Sequence, residues 1–235
     1  MEKLRQCGCR PPPKVRDARE YMLDTATRLF SEQGVGATTI AQIATAAGVT
    51  SAMVHYYFTN RDTLLDAIVD DRLAPAVQFV WEPVTEAAGS DPFGMIEAHI
   101  SRLFTIAERM PWLPSLWMQD NFCEGSLLHE RMVRHLPTGK VTLFIELIAR
   151  AQQAGVVNRE IEAPLLVNSL FSLVMTPLAT SRIPSKLPGI SGVGRPVLER
   201  HVKALVTGGM RPHGKLSKRE AAHGKPQGKP HGKHK

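Results

Sequence analysis

The chain has 235 residues, enough for one large core or two modest ones, with 29 Lys and Arg against 22 Asp and Glu. Its net charge of +7 belongs to the C-terminal end: residues 211–235 hold eight basic residues and one acid, leaving 29 − 8 = 21 basic and 22 − 1 = 21 acidic residues in the rest, so a pI near 9.5 does not by itself argue for a nucleic-acid-binding fold. Three cysteines make no disulfide framework, the N-terminus has no apolar leader, and no apolar run approaches the roughly 18 residues of a bilayer span, so a reducing, cytoplasmic setting without a membrane is expected.

In chain order, a basic arm comes first, ending at Pro11, Pro12 and Pro13, which cannot enter a helix interior. Order is expected from Lys14. Met22, Ala26, Leu29 and Phe30 recur at helical spacing and place one apolar stripe on a first helix that stops near Gly34 and Gly36. Ile40, Ile43, Ala44 and Ala47 form a second, short stripe, opened by Thr39 with Gln42 three residues on, the spacing of a capping box. Gly48 ends it. Thr50 is placed to cap a third short helix with Val54 and Phe58 inward, and a fourth follows Asn60, with Leu64, Leu65 and Ile68 inward and Pro75 kinking or dividing it.

Past Gly89, the pair Asp91-Pro92 reads as an N-cap followed by proline at the first helical position, and Glu162-Ala163-Pro164 repeats the device. Helices are predicted at about 92–110, 112–123, 125–136, 138–154, 163–182 and 195–208. No stretch alternates at period two long enough for a sheet, so the predicted fold is all-α. The segment 183–196, rich in proline and glycine, reads as a loop, and the tail repeats His-Gly-Lys at 213–215, 223–225 and 231–233 with too little apolar surface to order. The expected divisions are a flexible arm 1–13, a helix-turn-helix unit 14–60, a helical body 61–208 and a disordered Lys/His/Gly-rich tail 209–235.

Two short helices joined by a glycine turn, with a longer helix braced behind them, are the parts of a helix-turn-helix reader of duplex DNA. Ala44 lets the two helices approach, Gly48 allows the tight turn, and Val54 fills the angle between them. The run from Gly36 to Leu65, GATTIAQIATAAGVTSAMVHYYFTNRDTLL, resembles the TetR/AcrR signature G-x-x-x-T-x-x-x-I-A-x-x-A-G-V-S-x-G-x-x-Y-x-Y-F-x-x-K-x-x-L.

That resemblance covers residues 16–70 and implies a homodimer that sets a third helix of each subunit in successive major grooves, with a larger body that binds an effector and dimerises. It implies a DNA-facing set of Thr39, Ala41, Thr50, Ser51, Ala52, Met53, His55, Tyr56, Tyr57 and Arg61. Thr39 would hold a backbone phosphate at a helix N-terminus, and Arg61 stands where the family has a phosphate-binding lysine. Tyr57 serves equally well as a packing residue, and His55 is expected on a phosphate. Three positions depart from the pattern. Ala52 replaces a glycine, His55 a tyrosine, and Ala41 a frequent base-reading arginine, so readout is expected to lean on groove shape and thymine methyls, with the basic arm adding salt-dependent affinity.

In the body, Met95, Phe104, Trp112, Trp117, Met118, Phe122, Phe144, Phe171 and Met175 are candidates to line an apolar ligand cavity, with His99, Gln119, Asn121 and Asn168 as polar candidates to orient a ligand. Ordinary core packing is the competing account of each. The last two predicted helices carry wide apolar faces, Leu165, Leu166, Ser169, Leu170 and Leu173 on one and Val197, Val202, Leu205 and Val206 on the other, and the resemblance implies that they form the dimer interface.

Catalysis has no support: there is no G-x-S-x-G, phosphate loop, H-E-x-x-H or C-x-x-C, and the spacing of Cys123 and His129 does not put them on one helical face. No cofactor is expected. The expected function is a repressor released from a palindromic operator by a small apolar effector. Two competitors stand: an architectural DNA-coating protein driven by the basic tail, and a metal-responsive protein resting on Cys7, Cys9 and the tail histidines 213, 223, 231 and 234.

Overall fold

The computed structural model describes residues 15–121, 127–180 and 194–212, and every regular element among them is helical. Helix α1 (Val15–Gln33) buries Met22, Leu23, Ala26 and Phe30, while Leu29 is only half-buried. Helix α2 (Ile40–Ala47) opens on the expected box: Thr39 Oγ1 accepts from the Gln42 amide at 3.2 Å, and Gln42 Oε1 accepts from the Thr39 amide at 2.8 Å. Each orphan donor of the first turn so held contributes about 1 kcal/mol.

The helix ends where Gly48 takes φ 66° and ψ 29°. A Cβ there would meet nothing within 4 Å, so the left-handed backbone, and not crowding, is what calls for glycine. Helix α3 (Ser51–Phe58) starts at Thr50, whose hydroxyl accepts from the Met53 amide at 3.2 Å, and it turns Val54 and Phe58 into the core shared with α1 and α2. The Arg19 guanidinium of α1 lies 5.5 Å from the Phe58 ring centre.

Helix α4 (Arg61–Ile68), capped by Asn60 accepting from the Thr63 amide at 2.8 Å, runs through a π-turn over Val69–Leu73 into α5 (Ala74–Trp81). Pro75 gives this break its reason. Lacking an amide proton, it cannot donate one turn back, and the chain widens to the π register just before it. The π-turn also tethers α1: Arg19 meets Asp71 at 2.7 Å, and Arg72 pairs with Glu20 and, at 3.0 Å, with Asp24.

After α5 come a 3-10 turn at Glu86–Ser90, which the sequence pattern does not predict, and α6 (Pro92–Arg109), capped by Asp91 accepting from the Gly94 amide at 2.9 Å. Then come α7 (Leu113–Asn121), α8 (Leu127–Val133), α9 (Thr138–Gln153), α10 (Ala163–Thr180) and α11 (Arg195–Met210). Helix α8 is shorter than predicted because the chain turns at Arg134–Leu136 ahead of Pro137. Helix α6 is enclosed by α5, α10 and α11, and α7 packs between α10 and α1.

Glu199 of α11 accepts from Ser101 of α6 at 2.7 Å and pairs with Lys203 at 2.9 Å. Burial acts to raise its carboxyl, but the bonds from Lys203, Ser101 and Arg195 outweigh that and hold it below the ordinary range. The end of α11 is pinned by Asn158, whose amide donates to the Met210 carbonyl at 2.8 Å and whose side chain donates to Gly209 at 3.2 Å.

One expectation is corrected. Helix α10 has 18 residues at mean hydropathy 1.4, long and apolar enough by composition to cross a bilayer, with 28% of it buried in the protomer. Asn168, Ser169, Ser172 and Thr176 interrupt its apolar residues, which is why no unbroken run is visible in the sequence. The expected tail began at 209, but Gly209 and Met210 close α11 and Met210 is buried; the expectations for the arm, for the tail past 212 and for most of 183–196 concern segments outside the described residues, as do Phe122, Cys7, Cys9 and Cys123.

Candidate nucleic-acid interface and apolar cavity

With Val54 and Phe58 buried, helical geometry turns Ser51, Ala52, Met53, His55 and Tyr56 outward, and all five are exposed, Tyr56 by 83%. Tyr57 is half-buried and meets Tyr56 edge-to-face, with ring centres 5.3 Å apart. Thr39, Ala41 and Thr50 are exposed beside this face. The result is a short helix whose whole outer surface is open, standing on a core that fixes its angle.

Three of the predicted contacts are already engaged within the chain. Thr39 donates its hydroxyl proton to Gln42 Oε1 at 3.1 Å, so a phosphate bound by that hydroxyl must displace Gln42. Arg61 is half-buried and donates to the carbonyls of Gly36, at 3.1 Å, and Val35, at 3.4 Å, bracing the turn ahead of α2. His55 Nδ1 lies 2.7 Å from the Thr59 carbonyl. A carbonyl only accepts, so Nδ1 carries the proton, and in the neutral ring Nε2 is an acceptor; His55 donates to a phosphate from Nε2 only when protonated.

That carbonyl belongs to a strained residue. Thr59 sits at φ 48° and ψ −54°, a positive φ in a β-branched side chain, and the Asn60 amide donates back to Phe58 across it. The γ-turn so formed joins α3 to α4.

In the body, α5 to α10 enclose a cavity of about 460 Å³. Its wall is made by Val77, Val80 and Trp81 of α5, His99, Leu103 and Ile106 of α6, Leu113 and Trp117 of α7, Met132 and Val133 of α8, Val141 and Ile145 of α9, and Val167, Phe171 and Met175 of α10. Trp117 and Phe171 meet with ring centres 4.4 Å apart. His129 and Asn168, both exposed, stand where the wall reaches solvent. Among the described residues the wall carries no Lys, Arg, Asp or Glu.

Of the cavity candidates, His99, Trp117, Phe171, Met175 and the polar Asn168 line this space. Met95, Phe104 and Phe144 do not: they are buried side chains of the packed core, Phe104 turned off the wall because it is five residues, not four or seven, beyond His99. Trp112 and Met118 also lie off the wall. Gln119 faces away from the cavity and bonds to α1. Nothing in the sequence separates a void-facing leucine from a core one, so the aliphatic wall residues carry no signal of their own, and Trp81 lies ahead of the stretch past residue 92 in which aromatic residues and methionines are dense.

His99 is the buried polar member of the wall, 3% exposed. Its ring lies edge-on to Trp81 at 5.1 Å and beside Phe144 at 6.1 Å, and Nδ1 has no hydrogen-bond partner. Burial, with the Arg102 charge as the lesser cause, pulls its pKa down to about 4, so the ring is neutral at neutral pH. No group of three or more His, Cys, Asp or Glu able to hold a metal occurs among the described residues.

Residues 22–68 match the family described as "Bacterial regulatory proteins, tetR family". Over 55 residues, 23% of this chain and 26% of the relative, the sequence is 40% identical to the HTH-type transcriptional regulator AcrR of Shigella flexneri. The chain spans about a quarter of the length of the first curated relatives it matches. Among solved structures, the ketosteroid transcriptional regulator KstR2 of Mycobacterium tuberculosis superposes with a TM-score of 0.62 at 16% identity, over 86% of this chain and 99% of that one. The transcriptional regulator FadR of Bacillus subtilis, solved with stearoyl-CoA, superposes with a TM-score of 0.59 at 16% identity, over 82% and 99%. These likenesses concern the fold alone.

Proposed function

From the match of residues 22–68 to the TetR family we propose that the chain is a TetR-family transcriptional regulator, a homodimeric repressor that leaves a palindromic operator when a small apolar molecule occupies the cavity of its body. The observation that carries the reading is the juxtaposition of two built features in one chain: the open face of α3 on a rigid three-helix base, and an apolar cavity enclosed by α5 to α10. Ser51, Ala52, Met53 and Tyr56 meet base edges and sugars, and the amides that open α2 face a backbone phosphate.

Dimerisation falls to α10 and α11. Leu165 is 65% exposed and Leu205 52%, and a groove lined by Leu173, Pro177, Leu198, Val202 and Leu205 runs between the two helices. An exposed apolar face on these two helices fits a second copy meeting it about a two-fold axis. The two α3 helices then read half-sites one duplex turn apart, about 34 Å.

The effector acts by preferring the conformer that does not bind DNA; equal affinity for both would shift nothing. In vitro selection with the full-length protein, followed by fluorescence anisotropy on the recovered duplex, tests the reading. A two-fold symmetric consensus bound with specificity that survives moderate salt is expected. Sequence-blind binding overturns it.

A further inference from the structure

The wall of the cavity has one chemical peculiarity. Every charge has been kept off it among the described residues, and two of its three polar side chains, His129 and Asn168, stand exposed at its edge. The third, His99, is buried with an unpartnered ring nitrogen, between the rings of Trp81 and Phe144. A buried imidazole without a hydrogen-bond partner is destabilising, so its presence on an apolar wall calls for one.

The protein's own groups do not supply one. Arg102, the nearby cation, donates to the Phe79 carbonyl at 2.8 Å, pairs with Glu82 and stacks on the Phe79 ring at 4.4 Å. Trp81 and Phe144 hold the flanks of the imidazole. His99 lines the cavity, and Nε2, which unlike Nδ1 is not closed off, is the ring nitrogen that a partner in the cavity reaches.

We propose that the effector is a neutral, largely apolar molecule carrying a hydroxyl group, and that His99 is the specificity-determining residue that hydrogen-bonds that hydroxyl. This rests on the reading of the body as the effector-binding part. A hydroxyl both donates and accepts, so it pairs with Nε2 in either tautomer, whereas an ether pairs in only one and a hydrocarbon in neither. A carboxylate is disfavoured because an anion brought into this wall finds no counter-charge among the described residues. The roughly 460 Å³ of space lies in the size range of drug-sized ligands.

The test uses the full-length protein and three matched probes, para-butylphenol, para-butylanisole and para-butylbenzoate. Binding is read by the fluorescence of Trp81 and Trp117 on the wall, excited beyond the absorption of the probes. The phenol is expected to bind about tenfold tighter than its methyl-capped anisole, the worth of one hydrogen bond to a buried group, and at least about tenfold tighter than the benzoate. In His99→Leu the phenol's advantage over the anisole should vanish while anisole binding changes less than about threefold; His99→Gln, which keeps a donor and an acceptor, should restore part of it.

Equal binding of phenol and anisole to the wild-type protein overturns the assignment to a hydroxyl, and leaves the cavity as an apolar sensor. Benzoate binding as tight as phenol overturns the neutrality of the ligand. An advantage that persists in His99→Leu overturns the role of His99. Failure of all three probes to bind is a different result: it overturns the effector-binding reading of the body together with the inference built on it. The wild-type comparison decides the hydroxyl question even if the leucine variant does not fold.

Discussion

Gln119 Nε2 on α7 donates to the Ser31 carbonyl on α1 at 3.0 Å, two residues along from Trp117, whose ring lies on the cavity wall. Residues two apart project from opposite sides of a helix, so α7 carries the cavity on one side and the DNA-reading unit on the other. Helix α8 makes a second link: Arg131 binds Asp66 at 2.5 Å and Asp62 at 3.2 Å on α4, while Met132 beside it lines the cavity. Replacing Gln119 by Leu is expected to leave operator affinity within about threefold and to cut the effector's influence on that affinity about fivefold, the low end of ordinary allosteric couplings. Anisotropy titrations of the selected operator with and without effector measure both quantities.

Thr59 holds a positive φ that its branched side chain resists, in the γ-turn between α3 and α4. Thr59→Gly removes that resistance and keeps the carbonyl that His55 bonds, so stability should rise by about 1 kcal/mol. Gly48→Ala should have the opposite sign, a loss of about 1 kcal/mol, because alanine resists the left-handed backbone that glycine accepts. Urea unfolding of the two variants against wild type gives both signs.

His99 is neutral in the folded protein, with a pKa near 4 against 6.5 for the free side chain. The unfolded chain takes up the proton first as pH falls. The stability associated with the neutral ring is therefore complete above about pH 6.5 and declines as pH drops toward 4, amounting to about 3 kcal/mol. Urea midpoints measured across that window should fall in wild type and fall less in His99→Gln, which has no proton to gain.

Leu205 is exposed on α11 beside the groove between α10 and α11. Leu205→Glu should convert the dimer to a monomer in sedimentation experiments while leaving helical content intact. Operator affinity should fall roughly a hundredfold, because two half-sites would no longer be engaged together. Retention of the dimer would place the interface elsewhere.

Tyr56 is 83% exposed on α3 and lies outside the core. Tyr56→Ala should weaken operator binding about tenfold with a change in unfolding free energy below about 0.5 kcal/mol. Anisotropy and denaturation, read together, separate contact from packing.

The parts of this protein that were legible from residues alone are those decided within one turn of chain. Thr39 and Gln42 close a box across three residues, Gly48 supplies a backbone angle that side chains resist, and Asp91 caps the helix beginning at Pro92; each needs only its neighbours. The apolar stripes of α1 to α4 were equally readable, since a period of 3.6 residues identifies the buried face whatever it is buried against.

Tertiary packing decided the rest. Whether His99 or Phe104 faces the cavity depends on how α5, α10 and α11 pack around α6, which the helical period of α6 does not reveal. The same holds for Arg61, drawn from an expected phosphate to the carbonyls of Val35 and Gly36, and for Gln119, drawn from an expected ligand to Ser31. Hydrogen bonds between residues tens of positions apart leave no spacing signature, because the register between two packed helices is set by how their side chains interdigitate and not by the period of either one.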